Sequence, residues 1–592
     1  MILLAENKII NLVIDNKKVS IDSNSTILDA AQSIGIDIPT LCYMKLHNTD
    51  YKCQPASCRV CVVEVEGRRN LCPACATPVM EGMVIKTNSM RVLKARRMIV
   101  ELMISDHPND CLTCTKSGTC ELQDLARKTG VVDVHLSGKS QSEYEIKGNK
   151  AIVRDMSKCI MCRRCEKMCS DIQSVHALSG VDRGFEAVVG TAFDEDLDNT
   201  MCVGCGQCVA VCPVGALMEK DDTDQVIQAL ADSDMTVVFQ TAPATRVAIG
   251  EEFGMEPGTN ATGKMVTALK NLGADYVFDT DFAADLTIME EGTELIDRLQ
   301  KFLKGEHAAL PLLTSCCPGW VNFYETSYPD MLDLPSTAKS PQGMFGAVAK
   351  NYFAEKLNID RKKMFVVSVM PCTAKKIEAD REELKEDGNP DVDVVLTTRE
   401  VARLIKMANI DFVNLPDGDY DSPLGESTGA AAIFGVTGGV LEAALRTVYE
   451  VLEKKTLPSV KFEEVRGFDG LKVATVKIAG QDINVAVAHG LSNARKVMEE
   501  IKNGNPRNLH AVEVMACPGG CIGGGGQPYH HGDGDILKAR TNATYKIDEE
   551  KVIRKSHENP AIKALYEEYY EEPGSEIAHH QLHTRYTYRE RY

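Results

Sequence analysis

The residues best suited to chemistry in this sequence are its cysteines. The chain of 592 residues contains 22 of them, and 17 lie between Cys42 and Cys212. Thiolates at short spacings bind iron or zinc, whereas disulfides mainly stabilise small secreted domains. Because the chain is long and its first ten residues do not resemble a secretion signal, we interpret the cysteines as metal or redox ligands.

Two runs of four cysteines share one spacing. The first run is Cys159, Cys162, Cys165 and Cys169, and the second is Cys202, Cys205, Cys208 and Cys212. This spacing is typical of bacterial ferredoxins with two [4Fe–4S] clusters, in which the fourth cysteine of each run binds the other cluster. We therefore predict one cluster on the first three cysteines of the first run plus Cys212, and a second cluster on Cys169 plus the first three cysteines of the second run.

Another group of cysteines, nearer the N-terminus, suits a [2Fe–2S] cluster. Cys58 and Cys61 form a tight loop whose backbone N–H groups can face the sulfur atoms. Cys53 could replace Cys58 as a ligand, and zinc is an alternative metal. The predicted ligands are Cys42, Cys58, Cys61 and Cys75.

One histidine and three cysteines form a further group within 14 residues. They are His107, Cys111, Cys114 and Cys120. One imidazole and three thiolates could bind either structural zinc or a [4Fe–4S] cluster. If all four groups bind iron–sulfur clusters, this part of the chain can conduct electrons.

The last five cysteines lie in three short motifs in the second half of the chain. The motifs are TSCCPGW at 314–320, MPCTAKK at 370–376 and MACPGGC at 515–521. Four thiolates from such distant segments can bind one more cubane, and the glycines of the third motif allow a close approach of the backbone. The residues alone indicate a buried redox metal site with one spare thiol.

The elements that must position these motifs alternate after about residue 221. Short runs rich in Val, Ile and Phe, such as 235–240, 365–370 and 483–488, predict buried strands. Amphipathic stretches between them, such as 285–302 and 399–407, predict helices. Such alternation is typical of an α/β region.

Composition excludes several classes of function. The net charge is −19, which argues against binding to nucleic acid. No run of 18 uncharged apolar residues is present, so we predict no membrane span. With no secretion signal, a cytoplasmic location is expected.

The three motifs, in this order and behind this array of ligands, resemble those of the [FeFe]-hydrogenases over essentially the whole chain. The resemblance implies an H-cluster, a [4Fe–4S] cubane joined to a diiron subsite with CO, cyanide and an azadithiolate bridge. Cys521 would also bridge the cubane to the diiron subsite. The cubane ligands would be Cys317, Cys372, Cys517 and Cys521.

The resemblance also implies a proton route and a pocket for the diiron subsite. The route would comprise Cys316, Glu291, Ser336, Glu294 and Arg298, and the pocket would be lined by Ala242, Pro243, Gln342, Met370, Phe434 and Met515. A thiol beside the diiron site can transfer protons, and carboxylates on one helix face can pass them on. Lys375 would donate to a cyanide ligand as a compact cation. Without the resemblance, the two glutamates would fit a solvated amphipathic helix, and Met370 and Met515 would fit core positions.

The implied fold is multidomain, of α+β and α/β class. We predict a β-grasp plant-type ferredoxin domain, a one-His/three-Cys [4Fe–4S] segment, a two-cluster bacterial ferredoxin domain, a two-lobed α/β H-cluster domain and a helical tail similar to a small subunit. The predicted bounds are 1–86, 87–135, 145–222, 228–533 and 534–592.

The implied function is that of a hydrogenase catalytic subunit, which interconverts protons, electrons and H2. Four accessory clusters would relay electrons to ferredoxin, NAD(P) or both. The domain order and the tail resemble the catalytic subunit of multimeric NAD(P)-linked, often electron-bifurcating, hydrogenases. Because the sequence has no convincing flavin or nicotinamide fingerprint, the expected partners are a flavin- and NAD(P)-binding diaphorase subunit and a small [2Fe–2S] subunit.

Two alternatives remain at this point. An H2 sensor or an iron–sulfur scaffold protein of the same superfamily would share these motifs without significant turnover. The first 220 residues or so also resemble the large iron–sulfur subunit of respiratory NADH dehydrogenase, but that class does not predict the three C-terminal motifs.

Overall fold

The computed structural model describes residues 8–47, 49–138 and 145–590. Residues 1–7, which begin the first predicted domain, and residues 591–592, which end the last one, lie outside the described residues. The first domain is a five-stranded sheet with one helix, Ile27–Ser33, packed on it. In sheet order, its strands are Lys17–Asp22, Ile9–Ile14, Val84–Lys86, Val62–Val65 and Cys72–Pro73. A two-stranded ribbon, Met44–Lys45 with Lys52–Cys53, lies beside it.

The next two regions contain little regular structure. Helices Met90–Asp106 and Glu121–Thr129 pack on each other and enclose the predicted one-His/three-Cys loop. The ferredoxin-like region that follows has two short helices, Arg164–Lys167 and Gln207–Val211. Its strands form a three-stranded sheet, Leu217–Glu219, Ile152–Arg154 and Lys147–Gly148, and a hairpin, Ser179–Val181 with Val188–Gly190.

The catalytic region is built around two four-stranded sheets. The first sheet is all parallel, in the order Tyr276–Asp279, Thr236–Thr241, Met364–Met370 and Val394–Thr397. Its strands are almost wholly buried, as expected for a parallel sheet covered on both faces. The second sheet has the order Leu312–Thr314, Leu509–Met515, Gln481–His489 and Leu471–Ile478, and only its last pair is antiparallel.

Helices cover both sheets, and one of them is much longer than the others. The helix Thr280–Leu303, here called the long helix, begins at Asp279, whose side chain accepts from the N–H of Asp281. The other catalytic helices of six or more residues are Thr223–Ala231, Thr262–Asn271, Pro318–Ser327, Pro341–Val348, Ala374–Ala379, Thr398–Met407, Gly439–Glu453 and Leu491–Lys502.

The chain ends in a helical segment that packs on the catalytic region. Its helices are Gly534–Glu550, Pro560–Leu565 and Glu576–Leu582. Residues of the last two pack against helix Pro341–Val348 in one hydrophobic cluster. No helix in the described part of the chain has the length and apolarity that a membrane crossing requires.

The strands of the second sheet include three that the hydrophobic pattern did not indicate. Leu312–Thr314 has only three residues, and Leu509–Met515 contains His510 and Glu513, which interrupt its apolar run. Leu471–Ile478 is an edge strand with several exposed side chains. The long helix also starts five residues before the predicted Asp285. Periodicity misses such elements because it detects only long, uninterrupted apolar patterns.

Candidate active site and cluster sites

Four cysteines from distant parts of the chain meet at the ends of strands. Cys317 follows strand Leu312–Thr314 and precedes helix Pro318–Ser327, and Cys372 follows Met364–Met370. Cys517 and Cys521 follow Leu509–Met515. Carboxyl ends of parallel strands are the usual position of ligand sites in α/β sheets. All four cysteines line one cavity, and so does the fifth, Cys316.

Every predicted pocket residue lines this same cavity. Its walls include Ala242, Pro243, Gln342, Met370, Phe434 and Met515, together with Lys375. Thr280 and Ala284 of the long helix also line it, and the sequence did not single them out. Most of the lining is apolar, but the Oε1 atom of Gln342 is buried without a hydrogen-bond partner. Five thiols, one cation and an unpaired acceptor around one cavity fit the polar, metal-containing group that the motifs imply.

Lys375 is fixed in this cavity by a residue that the sequence reasoning missed. Its Nζ atom lies 2.8 Å from Glu378 Oε2 and 2.8 Å from Ser340 Oγ. Gln342 Nε2 donates to the same Glu378 oxygen at 3.0 Å. Burial opposes the charge, but Glu378 outweighs it and raises the pKa of Lys375, so the ammonium group persists. Lys375 and Glu378 are three residues apart on helix Ala374–Ala379, and this spacing could have predicted the ion pair from the sequence.

The predicted proton-route residues lie on and beside the long helix. Ser336 Oγ donates to Glu294 Oε2 at 2.9 Å, and Arg298 Nη2 donates to Glu294 Oε1 at 2.6 Å. Glu291 is 4% exposed, and its Oε1 atom has no hydrogen-bond partner. Burial raises the pKa of Glu291 to about 8. No hydrogen bond joins it to Cys316 among the described residues, so the hydrogen-bonded part of the route runs outward from Ser336.

The ferredoxin-like region contains two small cavities, each surrounded by four cysteines. The first cavity is lined by Cys159, Cys162, Cys165 and Cys212. The second is lined by Cys169, Cys202, Cys205 and Cys208. The structure therefore brings together the same two interleaved sets that the ferredoxin spacing predicts.

The second of these sites touches the catalytic region directly. A Cβ added to Gly319 would lie 3.5 Å from the Cβ of Cys205, and one added to Gly525 would lie 2.5 Å from the Cys205 carbonyl oxygen. At Gly525, only glycine allows such a close approach of the two backbones. Because Gly319 follows Cys317 by two residues, adjacent clusters at these two sites would be close enough to exchange electrons.

The N-terminal cysteines lie in two close pairs. The sulfur atoms of Cys61 and Cys75 are 3.4 Å apart, and the N–H of Cys42 donates to Cys58 Sγ at 3.4 Å. Cys53 lies elsewhere: it is buried, and its thiol donates to the carbonyl of Cys162 at 3.7 Å. Two ligand pairs suit the two irons of a [2Fe–2S] cluster. The geometry therefore groups Cys58, and not Cys53, with the other three.

The histidine of the remaining site has one ring nitrogen free. His107 follows helix Met90–Asp106, and its Nδ1 lies 2.9 Å from the carbonyl oxygen of Pro108. That contact places the proton on Nδ1 and leaves Nε2, which is buried without a partner, available to bind a metal. Cys120 precedes the next helix, and a Cβ at Gly215 would lie 2.8 Å from Cys114 Sγ. This site therefore faces the first ferredoxin-like cluster site.

Comparison with known families assigns each of these regions. Residues 235–525 match the family described as "Iron only hydrogenase large subunit, C-terminal domain", and residues 534–589 match "Iron hydrogenase small subunit". Residues 7–90 match "2Fe-2S iron-sulfur cluster binding domain". Residues 96–135 match "NADH-ubiquinone oxidoreductase-G iron-sulfur binding region", and residues 149–218 match "NADH-quinone oxidoreductase subunit 3, ferredoxin-like domain".

Individual relatives extend over nearly the whole chain. It is 59% identical to the NADP-reducing hydrogenase subunit HndD of Solidesulfovibrio fructosivorans, over 98% of this chain and 99% of that protein. It is 40% identical to iron hydrogenase 1 of Clostridium pasteurianum, over 97% and 99% of the two chains. A solved [FeFe]-hydrogenase of Chlamydomonas reinhardtii is 42% identical, with a TM-score of 0.56 over 62% of this chain and 99% of that chain.

These matches confirm the resemblance that the three cysteine motifs indicated. They also confirm the predicted classes of domain. The N-terminal similarity to NADH dehydrogenase subunits is real, but the hydrogenase match over residues 235–525 separates the chain from that class. The cofactors are an H-cluster and iron–sulfur clusters of the [2Fe–2S] and [4Fe–4S] types. The chain belongs to the [FeFe]-hydrogenase family, as an iron hydrogenase catalytic subunit with accessory iron–sulfur domains.

Proposed function

We propose that this chain catalyses the reversible conversion of two protons and two electrons into H2. The observation that carries the proposal is the cavity that combines four cysteines with the additional thiol of Cys316 and the cation of Lys375. Cys317, Cys372, Cys517 and Cys521 would hold the H-cluster, with Cys521 also joined to the diiron subsite. When bound, the H-cluster supplies the redox-active iron at which H2 is formed or split.

The chain's own residues would move protons between this cavity and solvent. Cys316 lines the cavity, and a thiol there can give or accept a proton at its sulfur. Glu291 suits the next position because its carboxyl group, with a pKa near 8, exchanges protons close to neutral pH. Ser336 then bonds to Glu294, which Arg298 holds in place near the surface.

Lys375 and Gln342 would orient the diiron subsite. Both side chains are held by Glu378 and present polar groups to a cavity that is otherwise mostly apolar. A buried ammonium group favours an anionic ligand such as cyanide. The apolar walls, which include Pro243, Met370 and Phe434, would exclude water from the rest of the site.

Four accessory clusters would carry electrons, one [2Fe–2S] and three [4Fe–4S]. The order of contacts supports a path from the His107 site, through the site that includes Cys212, to the site that includes Cys205 and then to the cavity. The [2Fe–2S] site lies beside this path, since Cys58, His107 and Cys159 line one shared cavity.

The electron partners would be ferredoxin, NAD(P) or both, reached through other subunits. The similarity to HndD, which is described as a subunit of an NADP-reducing hydrogenase, supports a multisubunit complex. The proposed partners are a flavin- and NAD(P)-binding diaphorase subunit and a small [2Fe–2S] subunit, and such a complex could bifurcate electrons. A cytoplasmic, anaerobic setting is part of the same proposal.

The direct test is an anaerobic assay of the matured chain. We expect H2 evolution from reduced viologen and H2 uptake with oxidised viologen, but no reduction of NAD(P) by the chain alone. Adding a flavoprotein subunit should restore NAD(P) reduction. Fully loaded clusters without turnover in either direction would contradict the proposal and favour a sensor or scaffold role. NAD(P) reduction by the chain alone would contradict the proposed partners.

A further inference from the structure

The short segment that carries Ser336 is held from two sides. Residues 335–339 belong to no helix or extended strand, although Ser336 belongs to the proposed proton route. On the inner side, the N–H of Ser336 donates to the carbonyl of Leu313 at 2.9 Å, and Leu313 donates to the carbonyl of Leu334 at 3.1 Å. These bonds attach the segment to the edge of the second sheet.

On the outer side, the segment is held by the C-terminal tail. The N–H of Lys339 donates to the carbonyl of Leu582 at 2.8 Å, and the N–H of Thr584 donates to the carbonyl of Thr337 at 2.7 Å. The hydroxyl of Tyr586 donates to the carbonyl of Ser336 at 2.7 Å. The tail therefore contacts the backbone of the residue whose side chain must meet Glu294.

The tail is anchored before and after Tyr586. Before it, His583 bridges two elements, with Nδ1 2.8 Å from Thr337 Oγ1 and Nε2 3.0 Å from Glu290 Oε2. After it, the buried carboxylate of Glu325 accepts from the N–H of Thr587 at 3.1 Å and pairs with Arg589 Nε at 2.7 Å. With both flanks fixed, the phenol of Tyr586 is held in one place.

The consequence for the proton route is geometric. Ser336 Oγ donates to Glu294 Oε2 at 2.9 Å, and the N–H of Thr337 donates to the same oxygen at 3.0 Å. Both contacts depend on the position of this short backbone segment. Burial raises the pKa of Tyr586, so its hydroxyl remains protonated and keeps donating. A shift of this backbone would lengthen the contact that the proton must cross.

We propose that Tyr586, in the small-subunit-like tail, is a positioning residue for the proton route, acting through the backbone of Ser336. The inference rests on the proposed hydrogenase function and extends it to the tail, which contributes no residue to the cavity. The tail thereby couples its own docking to proton transfer.

The test is the variant Tyr586→Phe, which removes only the hydroxyl, in the fully matured chain. Tyr588→Phe is the matched control, because Tyr588 is 55% exposed and its hydroxyl makes no hydrogen bond among the described residues. In Tyr586→Phe we expect turnover with viologen to fall about fivefold, as for the net loss of one hydrogen bond. The solvent deuterium isotope effect should increase, while iron content and the infrared spectrum of the H-cluster stay unchanged.

Hydrogen exchange separates this inference from the proposed function. Amides of residues 336–339 should exchange faster in Tyr586→Phe than in Tyr588→Phe, whether or not the chain turns over. If wild type is active and Tyr586→Phe matches Tyr588→Phe in turnover, isotope effect and exchange, the positioning role is overturned and the hydrogenase function stands. If wild type is inactive but the exchange difference is present, the role of Tyr586 in positioning the backbone of Ser336 stands and the proposed function fails.

Discussion

The cluster-binding region before residue 222 and the catalytic region after it position their proposed metal ligands in different ways. In the first, the ligands of one site come from one to three short loops, and the two ferredoxin-like cavities are lined mainly by cysteines and aliphatic side chains. In the second, the four cysteines are spread from Cys317 to Cys521 and meet at the ends of two sheets. The packing of sheets and helices therefore positions the catalytic ligands, whereas the accessory ligands lie on short loops that the bound clusters would hold together.

The two regions also differ in their buried polar groups. The two ferredoxin-like cavities are surrounded mainly by apolar residues and sulfur, which suits electron transfer without proton movement. The catalytic region buries Lys375 and Glu378 as an ion pair and Glu291 as a carboxyl group without a cationic partner. Burial without a cationic partner raises the pKa of Glu291, and a carboxyl group perturbed in this way is typical of a functional site.

The largest effect should come from removing iron. Chelation should unfold residues 147–222, because this region has little regular structure and its metal-binding energy is folding energy. The two catalytic sheets should persist, since each sheet also packs on an apolar cluster that contains no cysteine. Limited proteolysis followed by mass spectrometry would locate the cleavage sites. Uniform resistance, or uniform cleavage of both regions, would remove the distinction between them.

The intact chain should contain about 20 iron atoms by ligand counting.

Cys316→Ser should abolish nearly all turnover, by about 100-fold or more, without loss of clusters. A hydroxyl is a much weaker acid than a thiol, and Cys316 is not needed as a ligand. Cys372→Ser should instead damage the H-cluster itself. Cys72→Ser, which changes a cysteine outside all the proposed sites, is the control. Activity and iron content measured together check this, and an active Cys316→Ser enzyme would exclude the thiol from the route.

Glu291→Gln should lower turnover by about 100-fold and change the pH dependence of stability. The folded-state pKa of about 8 lies above the ordinary value of 4.5, so the folded chain binds this proton more tightly than the unfolded chain. The stabilisation is therefore complete below about pH 4.5 and is lost as the pH rises toward 8.

The glutamine variant should lose less thermal stability than wild type between about pH 5 and pH 8.5. Asp297→Asn, on the exposed side of the same helix, provides the matched control. Unfolding temperatures across this range measure the effect. Identical pH profiles for wild type and Glu291→Gln would show that Glu291 is ionised throughout.

His107→Cys should have the smallest effect. A fourth thiolate adds one negative charge to the cluster and should lower its reduction potential relative to imidazole ligation. Turnover with viologen should persist, while electron transfer through this cluster slows. Redox titration followed by electron paramagnetic resonance checks the shift, with His135→Cys as an exposed control. An unchanged cluster signal would mean that His107 is not a ligand.

The sequence by itself determined the two ferredoxin-like cluster sites and, through a resemblance, the family. The spacings from Cys159 to Cys169 and from Cys202 to Cys212 restrict the geometry covalently, so local pattern suffices to predict a ferredoxin-like site. The three distant motifs identified the catalytic class through their resemblance, not through any geometry that spacing could supply. The hydrophobic pattern likewise predicted the buried strands of the first sheet but missed three strands of the second.

Tertiary structure alone decided which distant residues meet. It grouped Cys58 with Cys42 and placed Cys53 against Cys162, although both cysteines have plausible spacing. It joined Lys375 and Gln342 through Glu378, and it brought Tyr586 to the backbone of Ser336 across 250 residues of chain. Such contacts arise when packed sheets and helices bring separate segments together, and the short-range spacing of residues carries no information about them.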